Sequence, residues 1–189
     1  TLVYKKLKTA DIVQGLPKVE EILEARKIIN ACLLSTFPGH ISSSNSRCLQ
    51  LLNLKNEKID IQRPVDLTFL NFKPGDFVNV AEPLTEGPIS PHTKLQVLFN
   101  YYKTIYPTLK ACQTSFKNLQ LFLVSEVQQT YSSQGVSIDD KHIEVIVKQM
   151  TSKVCIEDSG NTTFLPGEII SLQKIETLIK HWKSFKFNG

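Results

Sequence analysis

The sequence predicts an α+β fold, in which a short helix precedes a small β-rich lobe and longer helices follow it. Three observations favour this class. Apolar residues recur at helical spacing near the start of the chain and again after residue 90. Between these regions, residues 28–84 form short apolar segments broken by Asn, Pro and Gly, as in strands joined by turns. The hydrophobic content of 41% in 189 residues is typical of a globular chain.

Shifts in composition divide the chain into four predicted segments. They are a basic lead-in with a helix (1–27), a β-rich lobe (28–85), a helical framework (86–153), and a β-hairpin with a terminal amphipathic stretch (154–189). The first residue is Thr rather than an initiator Met, and no signal-peptide core follows it. We therefore expect the chain to be a piece of a longer polypeptide.

The first helix is predicted over much of residues 10–27. Pro17 suits a first helical turn, because its fixed φ fits the helix and its missing N–H would lack a partner there. Acidic residues near the start and Arg26 and Lys27 near the end both complement the helix dipole. The apolar stripe consists of Val19, Ile22 and Leu23.

Within the β-rich lobe, the string FKPGDFVNVAEPL predicts a hairpin of two short strands around Pro74, Gly75 and Asp76. Proline presets the backbone for a turn, and glycine accepts a positive φ at no steric cost. The remainder of the lobe is poorly specified by its sequence.

Two helices are predicted to follow the lobe. Ser90 is a favourable N-cap, Pro91 suits the first helical position, and Pro107 ends the run. The second helix spans residues 108–133 and is stopped by Gly135. Its apolar stripe consists of Phe116, Leu119, Leu123, Val127 and Tyr131.

The string DKHIEVIVKQM predicts a further helix with Asp139 as its N-cap. Glu144 precedes Lys148 by four residues, which is the favourable order for a helical ion pair. A strand pair is expected between residues 153 and 170, turning through residues 158–161. The predicted buried face of the helix consists of Ile143, Ile146, Val147 and Met150.

Charge and cysteine usage narrow the function classes. The net charge is +4, and all of the 22 basic residues except Arg26, Arg47 and Arg63 are lysine. Lysine is a point charge without the forked geometry that reads bases, so any nucleic-acid contact should be largely blind to sequence.

The four cysteines show no Cys-x-x-Cys spacing, so we expect free thiols and no zinc ribbon. No apolar run is long enough to suggest a membrane span.

His142 and Glu144 suggest a metal or acid–base site at first sight. Residues two apart on a helix point about 200° away from each other, so the two cannot chelate one ion. No nucleophile elbow, phosphate-binding loop or dinucleotide fingerprint occurs in the chain. We therefore expect a structural role for His142 and neither a complete catalytic site nor a metal site in this chain. Contact of His142 with a partner or with nucleic acid remains a minor alternative.

Three strings carry a family resemblance: DIVQGLPKVEEILEARK, PLTEGPISPHTKL and QGVSIDDKHIEVIVKQMTSKV, the last followed by FLPGE. Together they closely resemble the C-terminal region of the largest-subunit class of multisubunit DNA-directed RNA polymerases. The similarity is to the bacterial beta-prime subunit and, more closely, to the separate beta-double-prime subunit of cyanobacteria and plastids. The strings occur in the order of the family, from residue 11 to about residue 170.

The first string resembles the second helix of the trigger loop, which folds against an incoming nucleoside triphosphate in this family. The resemblance implies that a segment around the helix break positions substrate: Gln14, Gly15, Leu16 and Pro17. The first trigger helix, with the substrate-facing histidine of the family, would precede Thr1.

The resemblance also implies contacts with DNA. Arg26 matches an arginine near downstream DNA, and we predict that it contacts phosphate together with Lys27. Residues 28–85 occupy the position of the jaw, which grips the downstream duplex. The sequence departs most from the family there, so we assign no jaw residue.

The third string resembles a framework helix near the base of the cleft, which implies a structural role for Asp139, Lys141 and His142. Residues 99–116 form a longer connection than is usual between the family's helices. The aspartate-rich loop that binds catalytic magnesium and the zinc-binding cysteines of the family are absent from these residues. We therefore expect no cofactor bound by this segment. Magnesium is expected in other parts of a complex, with zinc as a further candidate there.

The leading hypothesis is a segment of a plastid-type beta-double-prime subunit that positions substrate and holds downstream DNA. Its expected partners are the alpha, beta and beta-prime subunits, a sigma factor, template DNA, RNA product and nucleoside triphosphates, with no membrane. Plastid location is favoured over bacterial or cyanobacterial cytoplasm. The alternative is a non-catalytic nucleic-acid-binding or assembly module derived from that subunit.

Overall fold

The computed structural model describes residues 17–25, 28, 31–45, 48–53, 57–62, 67–158, 160 and 162–178. Its elements follow in chain order: α1 (17–24), β1 (Gly39–Ser44), β2 (Cys48–Asn53), β3 (Lys58–Gln62), β4 (Phe77–Val78), α2 (Pro91–Ile105), α3 (Thr108–Ser133), α4 (Asp140–Met150), β5 (Lys153–Cys155), β6 (Ile169–Ser171) and α5 (172–178). Helices and small antiparallel sheets thus occupy separate stretches of the chain, which confirms the α+β prediction.

Contacts between residues divide the chain into two compact units. The first, which we call the sheet unit, is Glu24–Leu119, and the second, which we call the helical unit, combines Thr1–Leu23 with Gln120–Gly189. The four-segment organisation read from the sequence stays a prediction.

The sheet unit is built on four antiparallel strands in the order β3-β2-β1-β4. Alternate residues of β2 point into its core, as the two-residue period of a strand requires. A bulge between Ile41 and Ser43 shifts the register of β1 against β2. The fully buried core consists of Ile41, Leu49, Leu51, Val78 and Leu84.

The predicted hairpin around Pro74, Gly75 and Asp76 is wrong in its pairing. A turn does form there, with Gly75 at a φ of 98° and the Lys73 N–H donating to the Asp76 carboxylate at 2.8 Å. The strand that follows, β4, pairs with Gly39 and His40 of β1 instead of with the residues before the turn. This distant pairing carries Val78 into the core, and no local pattern encodes it.

The two helices predicted after the lobe are confirmed. α2 begins at Pro91 behind the N-cap Ser90, whose hydroxyl makes no capping bond, so proline rather than the serine side chain defines the start. α3 begins after Pro107 and ends before Gly135, which has a φ of 72°. Of the predicted stripe, Leu119, Leu123 and Val127 are buried, whereas Phe116 and Tyr131 are half-buried.

The helical unit contains α4 and the two-stranded sheet of β5 and β6. The predicted strand pair is confirmed, with Val154 opposite Ile170. On α4, Ile143 and Val147 are buried as predicted, but the prediction for Ile146 is wrong, since 51% of this side chain is exposed. The buried face of α4 is narrow: it includes Ile143 and Val147, which are four residues apart, and Ile146 lies beside it.

Candidate functional site

Most of the segment predicted to position substrate precedes the described residues. Gln14, Gly15 and Leu16 lie outside the described part of the chain, and Pro17 is the first described residue of α1. Pro17 is exposed, and Val19 is buried. Ala25 directly follows α1, and its φ of 48° is left-handed and unusual for a residue other than glycine.

A histidine from α2 bonds to the end of α1. The Nε2 atom of His92 lies 3.0 Å from the carbonyl oxygen of Ala25. A carbonyl oxygen only accepts, so Nε2 carries the hydrogen and donates it. The bond satisfies a carbonyl at the C-terminus of α1, where the last turn of a helix leaves such groups without intrahelical partners. Because Pro91 fixes the first helical position, His92 is held in the first turn of α2.

A few residues after Lys27, the chain is bonded to residues 84–88, which closely precede α2. The Cys32 N–H donates to the carbonyl of Pro88 at 3.0 Å, and the Leu33 N–H donates to the hydroxyl of Thr85 at 2.8 Å. Leu84 returns a backbone bond to the Leu33 carbonyl at 2.8 Å. These bonds join one short extended segment to another in the manner of a sheet ladder.

The segment PLTEGPISPHTKL therefore contacts the chain on both sides of the predicted DNA contact. Arg26 and Lys27 themselves lie outside the described residues. His92 binds the residue immediately before them, and residues 84–88 bind the chain a few positions after them. We refer to this arrangement, Ala25–His92 with Cys32, Leu33 and their partners in residues 84–88, as the double anchor.

The double anchor includes a buried thiol. Cys32 is 3% exposed, and burial raises the pKa of its thiol from the ordinary value of 9.0, while the nearby Lys94 ammonium and a backbone hydrogen bond act in the opposite direction. Lys94 also donates to the carbonyl of Ala81 at 3.1 Å. The buried thiol is therefore protonated at neutral pH and serves as a small apolar group.

The predicted structural helix begins with the expected cap. The Asp139 carboxylate accepts from the Lys141 N–H at 3.0 Å, and the His142 N–H donates to the Asp139 carbonyl at 3.1 Å. The side chains of Lys141 and His142 are both exposed. Asp139 thus stabilises the first turn of α4, while Lys141 and His142 take part through their backbone N–H groups.

The described part of the chain contains no group of three His, Cys, Asp or Glu side chains arranged to hold a metal ion. Within the same residues, no helix is both long enough and apolar enough to cross a membrane. The hydrogen bonds described above hold the chain around residues 25–33 and cap the first turn of α4.

Sequence reasoning missed His92 and Thr85, since the two bonds connect residues separated by 67 and 52 positions. The available signal was the string itself. PLTEGPISPHTKL is a turn-rich stretch that contains Thr85 and His92, and it resembled the family without an evident packing reason.

Comparisons with known proteins agree with the strings. The family model described as RNA polymerase Rpb1, domain 5, matches residues 96–177. The DNA-directed RNA polymerase subunit beta'' of Emiliania huxleyi is 55% identical over 179 residues, which make up 93% of this chain and 14% of that relative. The chain belongs to the RNA polymerase largest-subunit family and corresponds to the C-terminal part of that subunit.

Other members of the RNA polymerase largest-subunit family are similar over the same extent. The subunit beta'' of Rhodomonas salina is 45% identical over 182 residues, and the subunit beta' of Synechococcus sp. (strain CC9902) is 45% identical over 179 residues. These matches cover 94% and 93% of this chain, and 14% and 13% of the respective relatives. The chain thus spans about one seventh of the length of these relatives.

Proposed function

We propose that this chain is the part of a plastid-type RNA polymerase beta-double-prime subunit that positions substrate and holds downstream DNA. The whole enzyme would synthesise RNA on a DNA template from nucleoside triphosphates. The observation that carries the proposal is the double anchor, because it fixes the chain on both sides of Arg26 and Lys27. A short segment between two fixed points loses little conformational entropy when its side chains bind.

DNA holding is assigned to Arg26 and Lys27. A guanidinium donates two parallel hydrogen bonds to a phosphate, and an ammonium adds a second positive charge beside it. Neither contact needs to distinguish bases, which suits an enzyme that moves along any template. The role agrees with the helix end, because Ala25 is bonded immediately before the pair.

Substrate positioning is assigned to Gln14, Gly15, Leu16 and Pro17, as the second helix of a trigger loop. Such an element alternates between folded and unfolded states, and it needs one fixed end. The bond between Ala25 and His92 supports this role, since it holds the residue that directly follows α1. The exposed Pro17 is the first described residue of α1, and it has no N–H to bond to a carbonyl of the preceding turn.

Phosphoryl-transfer catalysis of this kind depends on metal ions and on positioning. In this proposal magnesium is held by other polypeptide, and the chain contributes positioning alone. Its partners would be the alpha, beta and beta-prime subunits and a sigma factor, together with template DNA, RNA product and nucleoside triphosphates. Subunits named beta'' among the relatives favour a plastid location over bacterial or cyanobacterial cytoplasm.

The DNA role is tested in an assembled polymerase that carries Arg26→Gln. Loss of a hydrogen bond to a charged group costs about 1.5 kcal/mol, so stalled elongation complexes should dissociate roughly tenfold faster. Lys153→Gln is the control, because it removes one positive charge from an exposed residue of β5, outside the segments assigned to DNA. Equal lifetimes for Arg26→Gln and the unaltered enzyme would contradict the DNA assignment.

The trigger-helix role is tested separately with Pro17→Ala. Removing the proline changes the balance between folded and unfolded helix, so the elongation rate or the pausing pattern should change while assembly does not. Pro166→Ala is the control, since Pro166 is exposed in the connection between β5 and β6. Unchanged elongation kinetics for Pro17→Ala would count against the assignment.

The alternative is a non-catalytic nucleic-acid-binding or assembly module derived from the same subunit. The basic charge of +4 is compatible with it. The two proposals differ in whether the parent reading frame, or a neighbouring one, encodes the first trigger helix and the aspartate-rich loop. Sequencing of that locus separates them.

A further inference from the structure

The helices α2 and α3 meet in a stretch of unusual charge. Residues 87–125 contain no Asp or Glu, whereas they contain four lysines, namely Lys94, Lys103, Lys110 and Lys117. Lys94 donates to a backbone carbonyl within the sheet unit, and the other three ammonium groups belong to exposed side chains. Thirty-nine consecutive residues thus carry positive charge without any carboxylate of their own.

A cluster of tyrosines lies at the turn between the two helices. The rings of Tyr102 and Tyr106 are stacked with their centroids 6.1 Å apart, and Tyr101 meets Tyr102 edge-on at 5.5 Å. The hydroxyl of Tyr102 accepts a hydrogen bond from the Asn118 side chain at 2.7 Å. This bond ties the end of α2 to the middle of α3, so the cluster is a fixed part of the sheet unit.

One of the three lysines contacts this cluster, and the other two lie on the same pair of helices. The Lys110 ammonium lies 4.6 Å from the centroid of the Tyr106 ring, in a cation–π contact. Lys117 follows Lys110 by seven residues, which places both on one face of α3 about 10 Å apart along its axis. Lys103 lies in the last turn of α2, three residues before Tyr106, which caps the helix in an extended conformation.

The tyrosines are already engaged with other groups. Tyr106 contacts Tyr102 and Lys110, and the Tyr102 hydroxyl is bonded to Asn118. Rings in such contacts make a poor platform for stacking unpaired bases, which need an open aromatic face. They do fix the position of a positive charge, which favours contact with a rigid array of phosphates.

We infer that Lys103, Lys110 and Lys117, together with Tyr106, form a contact surface for the phosphate backbone of double-stranded DNA. This surface consists of other residues than Arg26 and Lys27, and it lies where α2 is followed by α3. The inference rests on the proposed function in one respect, namely that DNA passes along this chain in the assembled enzyme. The lysines bind without reading bases, because an ammonium lacks the forked donors of arginine.

The test uses the assembled polymerase with the triple variant K103Q/K110Q/K117Q in this subunit. The affinity for a blunt-ended duplex of random sequence is measured at several salt concentrations, and single-stranded DNA and RNA are measured separately. Each lost phosphate contact should reduce the slope of log affinity against log salt by about 0.9, so the triple variant should lose about 2 to 3 units of slope. The charge-preserving variant K103R/K110R/K117R should keep the slope of the unaltered enzyme.

The matched control is K141Q/K148Q/K153Q, which removes three exposed lysines from the helical unit. It should leave the slope unchanged. An unaltered slope in K103Q/K110Q/K117Q, or an equal decrease in the control, would overturn the inference. A decrease seen with single-stranded DNA or RNA but not with duplex would overturn it as well.

RNA synthesis by the unaltered assembly is measured in parallel. Failure of that assembly to make RNA would contradict the proposed function, while the slope measurement would still decide the role of the three lysines. RNA synthesis together with an unaltered slope in the triple variant would contradict the DNA surface alone.

Discussion

The Nε2 atom of His92 donates a hydrogen bond to the carbonyl of Ala25 over a distance of 3.0 Å. The two residues are 67 positions apart, yet the bond connects the residue that directly follows α1 to the first turn of α2. It fixes the left-handed end of α1 immediately before Arg26 and Lys27. In the proposed function this end stays fixed while the rest of the trigger helix folds and unfolds.

Replacement of His92 by Ala should loosen the end of α1. One exposed hydrogen bond contributes about 1 kcal/mol or less, so backbone amides near Ala25 should exchange with solvent up to about fivefold faster. Hydrogen–deuterium exchange of the assembled enzyme measures this change. His92→Gln, which keeps a donor at a similar reach, is the control and should restore much of the protection. Equal exchange in His92→Ala and the unaltered chain would show that the bond does not stabilise this helix end.

Replacement of Asp139 by Ala should destabilise the first turn of α4. The Asp139 carboxylate caps the Lys141 N–H, and loss of such a cap costs about 1 kcal/mol. Asp139→Asn keeps an oxygen acceptor and should cost much less. Exchange rates of the amides in the first turn of α4 measure the difference, and equal rates in the two variants would contradict a capping role.

Two valines on α4 form a matched pair for testing its packing. Val147 is 1% exposed and Val145 is 69% exposed. Val147→Ala should destabilise the helical unit by about 2 kcal/mol, because it removes two buried carbon atoms and leaves a cavity. Val145→Ala should be close to neutral, since alanine favours the helix and little buried area is lost. Urea unfolding of the subunit checks both values, and a larger effect at Val145 than at Val147 would contradict this packing of α4.

Cys32 should resist alkylation in the folded chain. Burial raises the pKa of its thiol above 9.0, so little thiolate exists at pH 8, and the sulfur is shielded from reagent. Mass spectrometry after iodoacetamide treatment should find Cys155, which is exposed, modified first, and Cys32 modified only in denaturant. Fast modification of Cys32 in the folded chain would contradict its burial.

The same shift predicts a direction of pH dependence. The folded chain retains the Cys32 proton to higher pH than the unfolded chain does, so the stabilising contribution of this thiol is complete below pH 9.0. It is lost as the pH rises from 9.0 through the higher folded pKa. Cys32→Ser should reduce the decrease in the free energy of unfolding between pH 8 and pH 10. Denaturant titrations at the two pH values measure this decrease.

Local chemistry explains what the sequence predicted well. Pro91, Pro107 and Gly135 set the bounds of α2 and α3 through their own backbone preferences, and Asp139 caps α4 with its own side chain. Each signal lies within a few residues of its effect. Periodicity also located the buried residues of α3, although it could not show that Ile146 lies beyond the covered face of α4.

Long-range pairing explains what the sequence did not predict. β4 joins β1 rather than folding back in a hairpin, and His92 finds Ala25 across the sheet unit. Both contacts join residues that are far apart in sequence, so local sequence patterns do not predict them. The assigned roles of Gln14, Gly15, Leu16, Arg26 and Lys27 come from the family resemblance and stay predictions.

In the proposed function, this chain positions substrate and holds downstream DNA within a polymerase whose catalytic metal is bound by other polypeptide. The most direct measurement is to tag the native subunit, purify it from its source under mild conditions, identify the accompanying chains and assay template-dependent RNA synthesis. The account predicts co-purification with the other polymerase subunits in equal amounts and magnesium-dependent synthesis by that assembly. Recovery of the subunit free of polymerase subunits, with no RNA synthesis in the preparation, would contradict it.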